Sequence, residues 1–298
     1  MTRANSDFRQ EDAVEACYQY VLSRQTPEGG FCFYRYLPWG IEEPNAKDSY
    51  AAVSILKLLG RTVPHVEKCT EWLLAQQESD GGYPTLVIGH AVLKALRIIG
   101  AEPLHDPRPF LHKIMQNQGF TDPTGLEVSG WLTNALRCVE LCREFAIAIS
   151  ERTSGEMEGW LGRLWGEDGG VGTPGPNLLD TDSAVELTVG LALSAPHQAL
   201  NYVRRCEDLP FGFNLTPNST ACSLEVQRAG LKVLDYFHAS PRQPSLIRSY
   251  AADCQTELGG FGRTPGAIAG LSESLCAMEI LSMLAQGDAQ AADLTGGS

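Results

Sequence analysis

The chain has 298 residues, 43% of them hydrophobic, and its 23 basic against 36 acidic side chains give a formal charge of -13. That is enough apolar material for a substantial core, in one large domain or two small ones, and it excludes a disordered polymer. The negative balance repels phosphate backbones and anionic membrane surfaces, and no Lys/Arg-rich run offsets it, so nucleic acid is not an expected partner.

The first thirty residues lack a basic-then-apolar leader, and no stretch approaches eighteen uncharged apolar residues. The expectation is a soluble cytoplasmic protein with no transmembrane segment. The nine cysteines are scattered through apolar helical stretches and read as buried thiols of a reducing compartment. Cys138 and Cys142 lie four apart, on one helical face, but no His or second Cys pair is near them, so no metal site is expected.

Along the chain, amphipathic segments alternate with more apolar ones, and a Gly followed by a bulky residue stands between them. The first unit runs from Tyr20-Val21 to Gln25, turns at Gly29-Gly30-Phe31 and continues in Ser49 to Leu59. The second has Trp72-Leu73 to Gln77, Gly81-Gly82-Tyr83 and Val87 to Ile99. Gly119-Phe120 marks the third, Gly169-Gly170-Val171 with Ser183 to Leu193 the fourth, and Gly212-Phe213 the fifth. The sixth has Tyr250 to Gln255, Gly259-Gly260-Phe261 and Ser274 to Leu284. The second segment of each pair is apolar on nearly every face, which predicts a helix buried all round, whereas the first predicts an amphipathic outer helix. Such pairs bury their faces against their neighbours in a closed array. The predicted fold is all-α, an (α/α)6 barrel of six helix-pair repeats over residues 10–286, with no alternating strand. Residues 287–298 are small and polar and are expected to form a disordered tail.

Acids recur where the inner helices begin. Asp48-Ser49, Asp182-Ser183 and Glu273-Ser274 align, and Glu127 and Glu225 occupy nearly the same place, each in a Leu-Glu-Val triplet. The second unit has Val87 to His90 instead. Carboxylates at helix starts satisfy orphan N–H groups and complement the helix dipole, which explains each acid taken singly. Parallel inner helices would also gather these acids at one mouth of the barrel, where like charges raise one another's pKa and helix N-termini lower it. Asp180 adds a further acid two residues before Asp182, giving Asp180-Thr181-Asp182-Ser183.

The run from Trp72 through Gln76-Gln77 and Asp80-Gly81-Gly82 to Tyr83 resembles the QW repeat of squalene-hopene and oxidosqualene cyclases, a repeat also found in protein prenyltransferase β subunits. All six units share part of it. The resemblance implies the barrel and leaves two chemistries open. Asp180-Thr181-Asp182-Ser183 is similar to the Asp-x-Asp-Asp motif of class II terpene cyclases, and closer to drimane-type variants whose last Asp is Thr. That likeness implies protonation-initiated cyclisation of an isoprenoid, with Asp182 as the acid and Asp180 as its hydrogen-bonded partner. Matching the Ser-Ala-Val segment instead places Thr181 at the acid position. The alternative likeness, which implies prenyl transfer to a small molecule or peptide, is to the β-subunit run that holds zinc, where Asp180 would match the zinc Asp. There Asp182 replaces a Cys ligand, Ser272 stands at the His position, and no Lys or Arg lies between Thr173 and Leu179 to grip a diphosphate.

No cofactor is implied by the cyclase reading, and Mg2+ enters only if the substrate carries a diphosphate. A third reading is a non-catalytic barrel that binds an isoprenoid or a partner. Tyr50 and Trp131 are candidates for the cavity wall, since aromatic faces stabilise carbocations. Trp39 is a candidate cover for the mouth, and Arg263 for an anionic head group. Phe31, Tyr83, Phe213 and Phe261 read as packing staples, and His90 as a hydrogen-bonded core residue. Class II cyclases usually carry a second barrel, for which this chain has no room, leaving the cavity open, capped by a loop or closed by a homo-oligomer.

Overall fold

The structure is a computed structural model and describes residues 10–36, 40–117 and 128–295. Twelve helices lie among the described residues, alternately outer and inner. In chain order they are α1 (Gln10–Leu22), α2 (Ala46–Leu58), α3 (Val66–Leu74), α4 (Leu86–Ile99), α5 (Arg108–Asn117) and α6 (Val128–Glu144), then α7 (Glu151–Leu164), α8 (Leu178–Gly190), α9 (Gln198–Cys206), α10 (Leu224–Tyr236), α11 (Pro244–Asp253) and α12 (Leu271–Thr295). The even-numbered helices pack on one another in sequence order, and α12 packs back on α2, closing the ring. The fold is therefore the all-α toroid that the repeats predict. Its core is the shell between the two helix layers, where Tyr20, Leu73, Tyr202 and Ile247 of the outer helices meet apolar residues of the inner ones.

Four of the inner helices start where a side chain caps them. Asn45, Thr85, Asn177 and Ser223 each accept a hydrogen bond from the backbone N–H three residues on, an arrangement worth about 1 kcal/mol per helix. The glycine turns join neighbouring units, and the sixth one closes the ring. Gly259 has φ +91°, and a Cβ there would lie 2.3 Å from the carbonyl oxygen of Ala16 on α1. A Cβ on Gly260 would meet the Tyr20 ring at 2.6 Å. Gln255 Nε2 donates to Gly259 O and to Ala13 O, both at 2.9 Å, so the last turn is sewn to the first helix. Gln25 and Gln77 do the same one unit on, donating to Pro64 O at 2.7 Å and to His105 O at 2.8 Å. Phe31, Tyr83, Phe213 and Phe261 are buried.

Among the described residues three hairpins of two residues per strand interrupt the loops: β1 (Arg35–Tyr36) with β2 (Ile41–Glu42), β3 (Glu207–Asp208) with β4 (Gly212–Phe213), and β5 (Phe261–Gly262) with β6 (Ala269–Gly270). Two residues are too few to write an alternating pattern, which is why the sequence shows none. From Gly287 to Thr295, residues assigned to the tail by composition continue α12. Among the described residues no helix is long and apolar enough to cross a membrane. All nine cysteines are free thiols, eight of them buried and Cys222 half-buried.

Candidate functional site

A repeated hydrogen bond sets which side chains of the inner helices reach the lumen. The residue four positions after the cap bonds the backbone N–H of the preceding turn: Ser49 to Phe31 at 2.9 Å, Thr181 to Val171 at 3.0 Å, Gln227 to Phe213 at 3.0 Å and Ser274 to Phe261 at 2.9 Å. Ser49 is thus equivalent to Thr181, and Asp48 to Asp180, two positions away from the sequence alignment. The next residue in each helix then turns to the barrel centre. These residues are Tyr50, His90, Asp182, Arg228 and Leu275, and the ionisable or polar residues four further on are Ser54, Lys94, Glu186, Lys232 and Glu279.

The lumen is consequently charged, which corrects the expectation of helices apolar on nearly every face. His90 Nε2 lies 2.6 Å from Glu140 Oε2, Lys94 Nζ 2.9 Å from Glu144 Oε1, and Arg228 Nη1 3.0 Å from Glu279 Oε2. Lys232 Nζ donates to Glu186. Every pair spans two neighbouring inner helices. Burial alone would push Lys94 and Lys232 down, but the carboxylates around them raise both above the usual lysine value. Burial likewise opposes the charge on Glu140, and His90, Lys94 and Lys232 overcome it, holding this carboxyl below the ordinary range.

Asp182 differs from this set. It is 6% exposed, and its Oδ1 is buried with no hydrogen-bond partner. Desolvation, opposed by Lys232 and Arg228 and assisted by Glu186 and Glu279, raises its pKa from 3.8 to about 7. It lines a cavity of about 340 Å³ between α6, α8 and α10. Leu136, Val139, Val185 and Val189 supply an aliphatic wall, and Glu140, Arg143, Glu186, Lys232, Asp235 and Tyr236 also line the cavity. Asp182 stands at the closed end, whereas Val189, two turns along α8, is 42% exposed. The cavity therefore opens toward the C-terminal ends of the inner helices, away from the mouth at which the sequence alignment placed the acids. A buried carboxyl that titrates near neutrality beside an apolar wall can give or take a proton there.

The remaining candidates do not converge on that point. Asp180 Oδ2 accepts from Asn177 Nδ2 at 2.7 Å and from Ser129 Oγ at 2.9 Å. These bonds turn it away from Asp182, because residues two apart on a helix do not face each other. The expected hydrogen bond between the two acids is not formed, nor do they aim at a common point for zinc. Among the described residues no group of three or more His, Cys, Asp and Glu is placed to hold a metal ion. Asp48 Oδ2 likewise accepts from Asn45 Nδ2 at 2.7 Å and from the Phe33 N–H at 3.0 Å. Glu225 pairs with Arg263 at 3.1 Å, a partner 62% exposed, so Arg263 does not reach the lumen. Glu273 is packed against Gly270.

Tyr50 does reach the lumen, its ring edge-on to His90 at 6.1 Å. Trp131 faces the other way, to Trp160 of outer helix α7 at 6.4 Å. Trp39 and Glu127 lie outside the described residues. Sequence reasoning missed Lys94, Glu140, Glu144, Glu186, Arg228, Lys232 and Glu279. Their signal is the ionisable pair four apart on an otherwise apolar helix, as in His90/Lys94, Asp182/Glu186 and Arg228/Lys232.

The sequence profile of the prenyltransferase alpha-alpha toroid domain matches residues 2–84 and 193–295, more than half of the chain. No curated protein matches it in sequence. Among solved structures it is similar to the type II terpene cyclase MstE from Scytonema without ligand, at 11% identity and TM-score 0.60, over 93% of this chain and 98% of that one. An Arg-to-Ala variant of MstE in complex with its substrate geranylgeranyl dihydroxybenzoate gives 12% identity and TM-score 0.60, over 92% and 96%. A protein from Actinoplanes gives 15% identity and TM-score 0.55, over 93% and 100%. At such identities the likeness establishes a shared fold.

Proposed function

The chain belongs to the prenyltransferase alpha-alpha toroid family, and from that premise we propose that it cyclises an isoprenoid by protonation, with Asp182 as the general acid. The observation that carries this reading is the unpartnered, desolvated Asp182 carboxyl at the closed end of a cavity with an aliphatic wall. Near neutral pH a substantial fraction of Asp182 is protonated. Its proton passes to a terminal alkene or epoxide of the substrate. The next π bond closes onto the resulting electrophilic carbon, and the final cation loses a proton to water at the open end, so that cyclisation is a net isomerisation. Ionised Glu140 on the cavity wall stabilises positive charge as it develops. Tyr236 is the aromatic ring that lines this cavity, Tyr50 lies across the lumen beside His90, and no step requires Asp180.

The experiment is incubation of the purified chain with linear isoprenoids of increasing length, with and without magnesium, followed by mass spectrometry. Cyclic isomers are expected, and Asp182→Asn abolishes them. Undiminished turnover by a folded Asp182→Asn variant overturns the assignment. A second reading, a binding barrel without chemistry, is favoured by one observation: paired charges occupy much of the lumen that a larger polyene would need. Absence of turnover together with a co-purifying ligand or partner decides for it.

A further inference from the structure

We infer that the cavity is built for a chain of at most three isoprene units, with Val189 and the close approach of α6 and α8 at Gly190 setting that limit. This rests on the isoprenoid reading of the site and deepens it.

Two readings of the same cavity agree on the ceiling. The first is depth. Asp182 closes one end and Gly190 lies at the other, and eight residues of helix rise about 12 Å. An extended prenyl chain gains roughly 5 Å per unit, so that depth takes about two to three units along the α8 axis. The second is volume. A cavity of about 340 Å³ filled at a density of about 0.75 leaves roughly 255 Å³ for ligand atoms, or about three units at roughly 85 Å³ each. A folded chain is therefore limited to the same number as an extended one.

The walls explain why the limit is firm. A Cβ at Gly190 would lie 2.7 Å from Val139 Cγ1, so α8 and α6 already touch at the outer end. On the other side, the Lys232–Glu186 and His90–Glu140 pairs fill the barrel centre, and a longer hydrocarbon would have to break them to go deeper. A fourth unit is left in water past Val189, where it gains no burial.

The test is a binding series of geraniol, farnesol and geranylgeraniol on the full chain by isothermal titration calorimetry. Burying the third unit should tighten binding at least tenfold from geraniol to farnesol, and the fourth should add less than twofold. Val189→Phe narrows the open end at a position exposed enough to leave folding intact. It should weaken farnesol at least tenfold while changing geraniol less than twofold. A second tenfold gain at geranylgeraniol, or an equal effect of Val189→Phe on all three alcohols, overturns the inference. If none of the three binds, the isoprenoid reading falls and the length limit with it. If the series holds but no product forms, the length limit stands and the assignment of catalysis to Asp182 is what fails.

Discussion

Replacing Asp182 by Asn should change how stability depends on pH. The carboxyl titrates at about 7 in the folded chain against 3.8 ordinarily. Between these values the folded state binds more protons than the unfolded one, so stability falls as pH rises. The slope is about 1.4 kcal/mol per pH unit, and the loss levels off above the folded pKa. The pI near 4.9 makes pH 5 unsuitable for solubility. From about pH 5.5 to about pH 8 the wild type should lose about 2 kcal/mol that the variant does not. Asn also removes the attraction to Lys232 and Arg228, but only ionised Asp182 has that attraction, so it is already contained in the folded value of about 7 and adds no further change to the difference. Urea denaturation of both proteins across the window, with the two curves subtracted, isolates the titration. A difference that is flat, or that grows in the opposite direction, would show that Asp182 is ionised throughout, and the general-acid assignment would go with it.

Three other substitutions test neighbouring parts of the argument. Lys232→Met leaves Glu186 without its partner, at a cost of about 1–2 kcal/mol because the pair is partly exposed. It also raises Asp182 further, so the falling alkaline limb of the pH–rate profile should move to higher pH; an unmoved limb means that Asp182 is not the titrating acid. Gly259→Ala places a Cβ against Ala16 O at a positive φ and should cost about 3 kcal/mol, lowering the calorimetric midpoint by roughly 5 °C. An unchanged midpoint would mean that the ring is not closed at that seam. Asp48→Ala should cost about 1–2 kcal/mol through its lost bonds to Asn45 and Phe33, with turnover unchanged. Loss of turnover in a stable Asp48→Ala chain would restore the ring of acids that the sequence alignment suggested.

The toroid is legible in the sequence because its joints are local. The Gln-to-Gly spacing at Gln25, Gln77 and Gln255, and the aromatic or Val after each turn, are short-range demands that recur whenever a helix pair is repeated. The pair Asp180 and Asp182 is legible as unusual for the opposite reason, since capping requires only one of the two. The sequence alignment makes Asp180 the surplus acid, whereas in the structure Asp180 joins the Asn177 cap and Asp182 is left over. The register of the lumen is not legible from acids alone. Asn45 and Asn177 hold Asp48 and Asp180 with the same bond, so the visible Asp-Ser similarity at Asp48-Ser49 and Asp182-Ser183 pairs residues of different roles. The polar residue bonded to the preceding turn, variously Ser49, Thr181, Gln227 and Ser274, is the true marker. It is hard to see because four helices use three residue types for one bond.

The formal charge of -13 is thereby divided between two settings. Some acids serve helix starts at the rim and reach no common point, whereas Glu140, Glu144, Glu186 and Glu279 are matched in the lumen by His90, Lys94, Lys232 and Arg228. Buried ion pairs contribute little net stability over apolar packing of the same shape, because desolvating the charges offsets most of their attraction. The fold thus derives its stability from the shell between the helix layers, and the lumen charges need another explanation. Asp182 supplies it. An isolated carboxyl in an apolar lumen would have its pKa pushed well above neutrality and would be too weak a donor, while the same carboxyl beside unopposed cations would be ionised. Cations paired with carboxylates hold it between these limits, at about 7. The charged lumen and the unpartnered Asp182 Oδ1 are then parts of one arrangement.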